Sequence, residues 1–142
     1  MQNTLTYKGI EKVLLARFPE LKGLVNETFG SYYDLKIETP EAYPVFESVL
    51  QAFLFDLLDL RKDEPLVHRI FSFLEEMANS PDENVTDLLG IAILEGLVFD
   101  RERIRRAWKY MGERTKKLAA ETARFGGWQE NLPPGEAGSN GH

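Results

Sequence analysis

The 142-residue chain contains no cysteine and two histidines, His68 and His142. The first absence excludes disulfides, thiolate metal sites and thiol catalysis, and it fits a reducing compartment. The second leaves the common hydrolytic machinery short of its usual base. No Gly-x-Ser-x-Gly elbow, phosphate-cradling glycine loop or His-Glu-x-x-His sequence occurs. Glu64 and His68 stand four apart, but the Glu-x-x-His spacing of di-iron bundles is missing, so neither a metal nor a cofactor is expected. No apolar run reaches the ~20 residues of a membrane span. The start, MQNTLTYKGIEK, lacks the basic and apolar regions of a secretory signal. The expectation is a cytoplasmic protein without a membrane partner, and not an enzyme.

What is present describes one ordinary domain. Apolar residues make up 43% of the chain and charged residues 28%, enough of the first to build a core and too many for a disordered chain. The net charge of −6 is unevenly spread. Residues 1–40 carry five basic and five acidic side chains. Residues 41–100 carry three basic and thirteen acidic, a net of −10, and residues 101–142 carry nine basic and five acidic, a net of +4. A middle section this acidic repels phosphates and attracts a basic partner. The basic run RERIRRAWKYMGERTKK interleaves arginines with Trp108 and Tyr110, as a strand-binding surface does. Glu102 and Glu113 interrupt it, and Ile104, Ala107, Trp108 and Met111 fall on one helical face, so an amphipathic helix is preferred and no nucleic acid is expected.

Helical spacing recurs along the chain and strand patterning hardly appears. Helices are predicted over Tyr7 to Phe18, from Pro19 to Phe29 with Gly30 as the stop, over Val45 to Leu60, from Leu66 to Asn79 with Asp63 as cap, and over Pro81 to Val98. Asp100 is read as the cap of a helix running to Met111, and Gly112 as the break before a last helix closed by Gly126. SYYDLKIETP reads as an extended connector with room for one short strand. At SPDENVTDLL, Ser80 as N-cap, Pro81 at the first helical position and Glu83 three residues after the cap form a capping box. The fold class is therefore all-α. It is a compact irregular bundle of about seven helices over residues 1–126, with a HEAT-like hairpin from Leu66 to Val98. A flexible, disordered tail follows over 127–142, in which Trp128 is the one residue expected to dock.

Within the apolar run LLGIAILEGL, Glu95 shares an ideal helical face with Leu88, Ile91 and Ala92, which predicts a partly buried carboxylate. A lone acid lacks the second group that acid/base work needs. A structural polar anchor, satisfied by the nearby arginines, is the expected role for Glu95. The turn between the two hairpin helices gathers Glu75, Glu76, Asp82, Glu83 and Asp87, and these five are the expected partner-binding residues; Tyr32 and Tyr33 offer an alternative contact.

FSFLEEMANSPDENVTDLLGIAILEGL, followed by KYMGERTKKL, resembles a family of small bacterial helical proteins of unassigned function. In that family a Phe-Leu-Glu helix, an acidic turn and an apolar helix ending in Leu-Glu-x-Leu recur. The likeness spans Phe18 to Leu118, and Leu74, Glu75, Glu95 and Leu97 fall on the pattern, whereas Pro44, Val45 and Phe46 stand where polar residues are usual. Such proteins are similar in size and acidity to the immunity proteins encoded beside bacterial toxins. The resemblance implies a protein-binding module that holds a basic toxin domain against an acidic face. The alternatives are a structural or adaptor subunit and, more distantly, a small carboxylate enzyme.

Overall fold

Proline, glycine and aspartate set most of the helix ends. The computed structural model describes residues 4–34 and 41–136, the side chains of 30–34 excepted. Helix α1 (Ile10–Arg17) follows Gly9, whose φ of 77° suits glycine, and it stops ahead of Pro19. A 3₁₀ turn, Pro19–Leu21, leads into α2 (Lys22–Asp34). The expected stop at Gly30 is not used. A single glycine costs a helix only about 1 kcal/mol, and α2 instead kinks at Phe29 (φ −120°, ψ 25°) and continues. The rest of the predicted connector, residues 35–40, and the side chains of Tyr32 and Tyr33 lie outside the described residues.

Helix α3 spans residues 42–60 and α5 spans 83–99, with α4 (Glu64–Ala78) between them. Helices α6 (Arg101–Trp108) and α7 (Glu113–Gly126) complete the bundle, and a 3₁₀ turn follows at Gln129–Asn131. No strand occurs among the described residues, in line with the all-α expectation and with a hairpin in which α4 packs on the first half of α5. Asp100 caps α6 as expected, accepting from the Arg103 amide at 3.1 Å. The start of α5 differs from the predicted capping box. Its cap is Asp82, which accepts from the Asn84 amide at 3.0 Å, while the Ser80 hydroxyl donates to the Leu5 carbonyl at 2.7 Å and so ties down the N-terminal segment. In the α3–α4 turn, Arg61 (φ 54°) and Asp63 (φ 55°) are both left-handed without being glycine, a cost of about 1 kcal/mol each. Asp63 holds the predicted cap position of α4 but makes no capping bond with its side chain.

Helices α3 and α5 each contain a π stretch, Phe46–Leu50 and Gly90–Leu94, and the two stretches pack against each other. The wider turns show in i−5 bonds, from the Gln51 amide to the Phe46 carbonyl and from the Glu95 amide to the Gly90 carbonyl. Residues spaced four apart drift around a regular helix by about 40° per step. A π stretch takes up one extra residue and cancels much of that drift. Exposed positions therefore recur strictly every fourth residue, at 44, 48, 52, 56 and 60 in α3 and at 83, 87, 91, 95 and 99 in α5. The remainder of α5, from Val85 through Leu88, Leu89, Ala92, Ile93 and Leu94 to Leu97 and Val98, is fully buried at the centre of the core.

The Gln51 side chain joins the two π stretches by donating to the Ala92 carbonyl at 2.7 Å. Gly96 lets the helices close together there, since a Cβ at this position would come within 2.9 Å of the Phe55 ring. Gln51→Leu keeps the volume and removes the bond, so urea unfolding should show a loss of about 1 kcal/mol. A variant as stable as the parent would mean that the bond contributes nothing.

The chain after Gly126 is not the loose tail that the sequence suggests. Trp128 does dock, edge-on against Phe99 at 5.5 Å between ring centroids. Beyond it, Leu132 is buried at 2% exposure, the Asn131 amide donates to the carbonyls of Val98 and Phe99, and Arg105 donates to the carbonyls of Glu130, Asn131 and Leu132. Residues 128–132 thus belong to the domain, and residues 137–142 lie outside the described residues. The sequence signal failed because this segment is held by side chains reaching to its carbonyls, which leaves no periodic pattern.

Candidate functional site

The five acids expected to form one partner-binding cluster separate into two groups. Glu75 turns inward to the start of α7. Its carboxylate accepts from the Thr115 hydroxyl at 2.6 Å, the Thr115 amide at 2.9 Å, the Arg114 amide at 3.1 Å and the Asn79 side chain at 3.1 Å. Burial pushes this carboxyl upward, but the bonds from Thr115, Arg114 and Asn79 outweigh it and hold the group below its ordinary range. Glu75 therefore serves as the N-cap that Gly112, with no side chain, does not supply.

Glu76 makes a two-pronged pair with Arg17 at 2.8 and 2.9 Å. Asp82 accepts from the Tyr7 amide at 2.8 Å in addition to capping α5. Only Glu83 and Asp87 stand exposed without a hydrogen bond or ion pair to a described residue. Sequence reasoning missed the other three roles because every partner but Asn79 and Asn84 lies 39 or more positions away in the chain.

Glu95 is also placed differently. It is exposed and makes no hydrogen bond or ion pair with a described residue, so it is not a buried polar anchor. The reason is the π stretch directly before it. One extra residue in that turn rotates Glu95 by about 100° from the face of Leu88 and Ala92 and brings it onto the exposed series with Asp87 and Ile91. The arginines expected to satisfy it are used elsewhere: Arg103 pairs with Asp59 at 2.7 Å, and Arg106 donates to the Asp59 carbonyl at 3.1 Å.

The structure assembles a different acidic face. Tyr7, in the segment before α1, and Tyr43, in the first turn of α3, are half-buried with ring centroids 6.3 Å apart. Burial raises the pKa of both hydroxyls first. The carboxylates of Glu41 and Glu11 raise Tyr7 further, and Tyr7, Asp87 and Glu47 do the same to Tyr43. Four acids from the α1, α3 and α5 segments thus act on one aromatic pair, and none of the four is ion-paired among the described residues. Ile91 (47% exposed) and Glu95 continue the exposed series of α5 beyond Asp87. Neither a nucleophile–base pair nor a group of three His, Asp or Glu side chains able to hold a metal occurs there among the described residues. The chemistry this face offers is recognition, with amphipathic rings for contact and carboxylates for steering.

No helix of the described residues is long and apolar enough to cross a membrane. No curated protein and no solved structure matches the chain. One family model does, over residues 11–127, which takes in every helix of the bundle except the first residue of α1. The chain thus belongs to the family described as a domain of unknown function, DUF7674.

Proposed function

We propose that the protein is a binding module that takes a basic protein partner on the face around Tyr7 and Tyr43, without chemistry of its own. In its sharpest form this is an immunity protein, cytoplasmic, that holds a basic toxin domain. The reading rests on one observation above the others: Glu11, Glu41, Glu47 and Asp87 surround a half-buried tyrosine pair while no described cation neutralises them. Unpaired carboxylates around an aromatic centre suit a partner whose lysines and arginines supply the missing charge, with steering governing capture and the rings governing release.

The test uses the basic domain encoded beside the gene in its native host, with stopped-flow association measured at low and high salt. Glu47→Lys with Asp87→Lys should slow association about tenfold at low salt and much less at high salt, because exposed charges are screened within about 10 Å at 0.1 M. Equal association rates across that salt range, for a variant that melts like the parent, would refute the reading, as would a neighbouring basic domain that does not bind. Phe125, 97% exposed near the end of α7, favours the second reading, an adaptor subunit whose contact is apolar and lies away from the tyrosines.

A further inference from the structure

A cleft of about 480 Å³ lies between the α3–α4 turn and α6, away from the tyrosine face. Leu57, Leu58 and Val67 form its floor. The walls are cationic: Arg61 and Lys62 come from the turn, and Arg105, Arg106 and Lys109 from α6. Glu64 is the one acid among the lining residues. It is occupied by the Tyr110 hydroxyl at 3.0 Å and by Lys109 at 3.5 Å, and the bond from Tyr110 and the charge of Lys109 hold its carboxyl below the ordinary range.

The remaining cations are poorly compensated. Arg61 and Lys62 are exposed and form no ion pair with a described residue. Arg105 is oriented entirely by neutral carbonyls, those of Glu130, Asn131 and Leu132, which fix its guanidinium without cancelling its charge. Arg106 is fixed in the same way by the carbonyls of Leu58 and Asp59, and its contact with Glu102 is long, at 3.7 Å. The backbone of Arg61 adds an independent observation. At φ 54° the position would suit glycine better, yet it carries an arginine whose side chain lines the cleft.

We propose that this cleft binds a small phosphorylated anion carrying two or more charges. Arginines from two separate elements favour phosphate oxygens, which the guanidinium fork matches in pairs. The volume leaves room for a body of sugar size beside the phosphates. A stacked base is disfavoured because the Tyr110 ring is already engaged: it lies parallel to Phe71 at 5.9 Å, meets His68 edge-on at 4.8 Å and has the Lys109 ammonium over it at 5.2 Å.

The experiment is a titration of the full chain with inorganic pyrophosphate and, separately, with a hexose bisphosphate, followed by amide chemical shifts and calorimetry, with citrate as a carboxylate of similar charge. The expected result is saturable one-to-one binding of at least one phosphorylated probe, tighter than citrate, with shifts centred on residues 57–67 and 105–110. Arg61→Gly with Lys62→Ala should weaken it at least about tenfold. That variant should melt no lower than the parent, because glycine relieves the left-handed strain at position 61. Failure of both phosphorylated probes to saturate at millimolar concentrations overturns the proposal. Equal affinity in the variant, or shifts centred elsewhere, overturns it too. None of these outcomes bears on the tyrosine face, which shares no residue with the cleft.

Discussion

Glu75→Gln is expected to lower stability by roughly 2–3 kcal/mol, the sum of a lost helix cap and charge-assisted hydrogen bonds to groups left partly buried. The amides of Arg114 and Thr115 and the Thr115 hydroxyl all point at this carboxylate, and Thr115 is fully buried, so water is a poor substitute there. The same bonds predict a pH dependence. The folded carboxyl titrates below its ordinary value of 4.5. Between the lowered folded value and the unfolded one, the unfolded chain binds a proton that the folded chain does not. The stabilisation is therefore complete above about pH 4.5 and is lost as pH falls through the folded value. Urea unfolding at pH 7 and again below pH 4 checks both: the gap between parent and Glu75→Gln should be widest at pH 7 and should narrow in acid. A variant within about 0.5 kcal/mol of the parent at pH 7 would show that the cap is not made.

Gly112 gives a second handle on the same contact. Its backbone (φ −77°, ψ 176°) is one that alanine adopts freely, but a Cβ there would stand 2.4 Å from the Glu75 carboxyl carbon. Gly112→Ala should therefore displace Glu75 and destabilise by about as much as removing it. In a Glu75→Ala background the same change should cost almost nothing, because the obstruction is gone. Additive losses would mean that Gly112 matters for some reason other than Glu75.

Ending the chain at Trp128 is expected to remove about 3 kcal/mol. Burial of Leu132 accounts for about 2 kcal/mol of this. The rest comes from the Asn131 bonds to the last carbonyls of α5 and from the three acceptors that hold Arg105. Leu132→Ala alone should show most of the effect in a thermal melt, at about 3 °C per kcal/mol for a domain of this size. A truncated chain that melts with the parent would show that residues 129–132 lie against the domain without stabilising it.

The helices were legible because their ends are marked by Gly9, Pro19, Asp63, Asp100, Gly112 and Gly126, and because their apolar spacing is strong. The core residues of α4 followed from the same spacing. What was hidden has a common cause. The role of Glu75 depends on residues near position 115, and the basic cleft joins residues 61 and 62 to residues 105–109, so neither leaves a local pattern. Tyr7 and Tyr43 come together only because Ser80 and Asp82 pin the N-terminal segment against the bundle. Glu95 was misjudged for a different reason. Its spacing from Leu88 was read on an ideal helix, and periodicity contains no sign of where a turn widens.

The facing π stretches bear on how this family tolerates change in length. Each is in effect a one-residue insertion absorbed inside a helix instead of in a loop. Deleting one residue from 46–50 or from 90–94 would restore an ordinary turn and swing everything after it in that helix by about 100°. For α5 such a deletion would carry Glu95 back toward the core and Leu97 and Val98 out of it. The two bulges also meet each other, with Gln51 bridging to Ala92, so losing one would leave the other facing a surface that no longer fits. Length changes in DUF7674 proteins should accordingly collect in the connections and at the termini, while α3 and α5 keep their residue counts together.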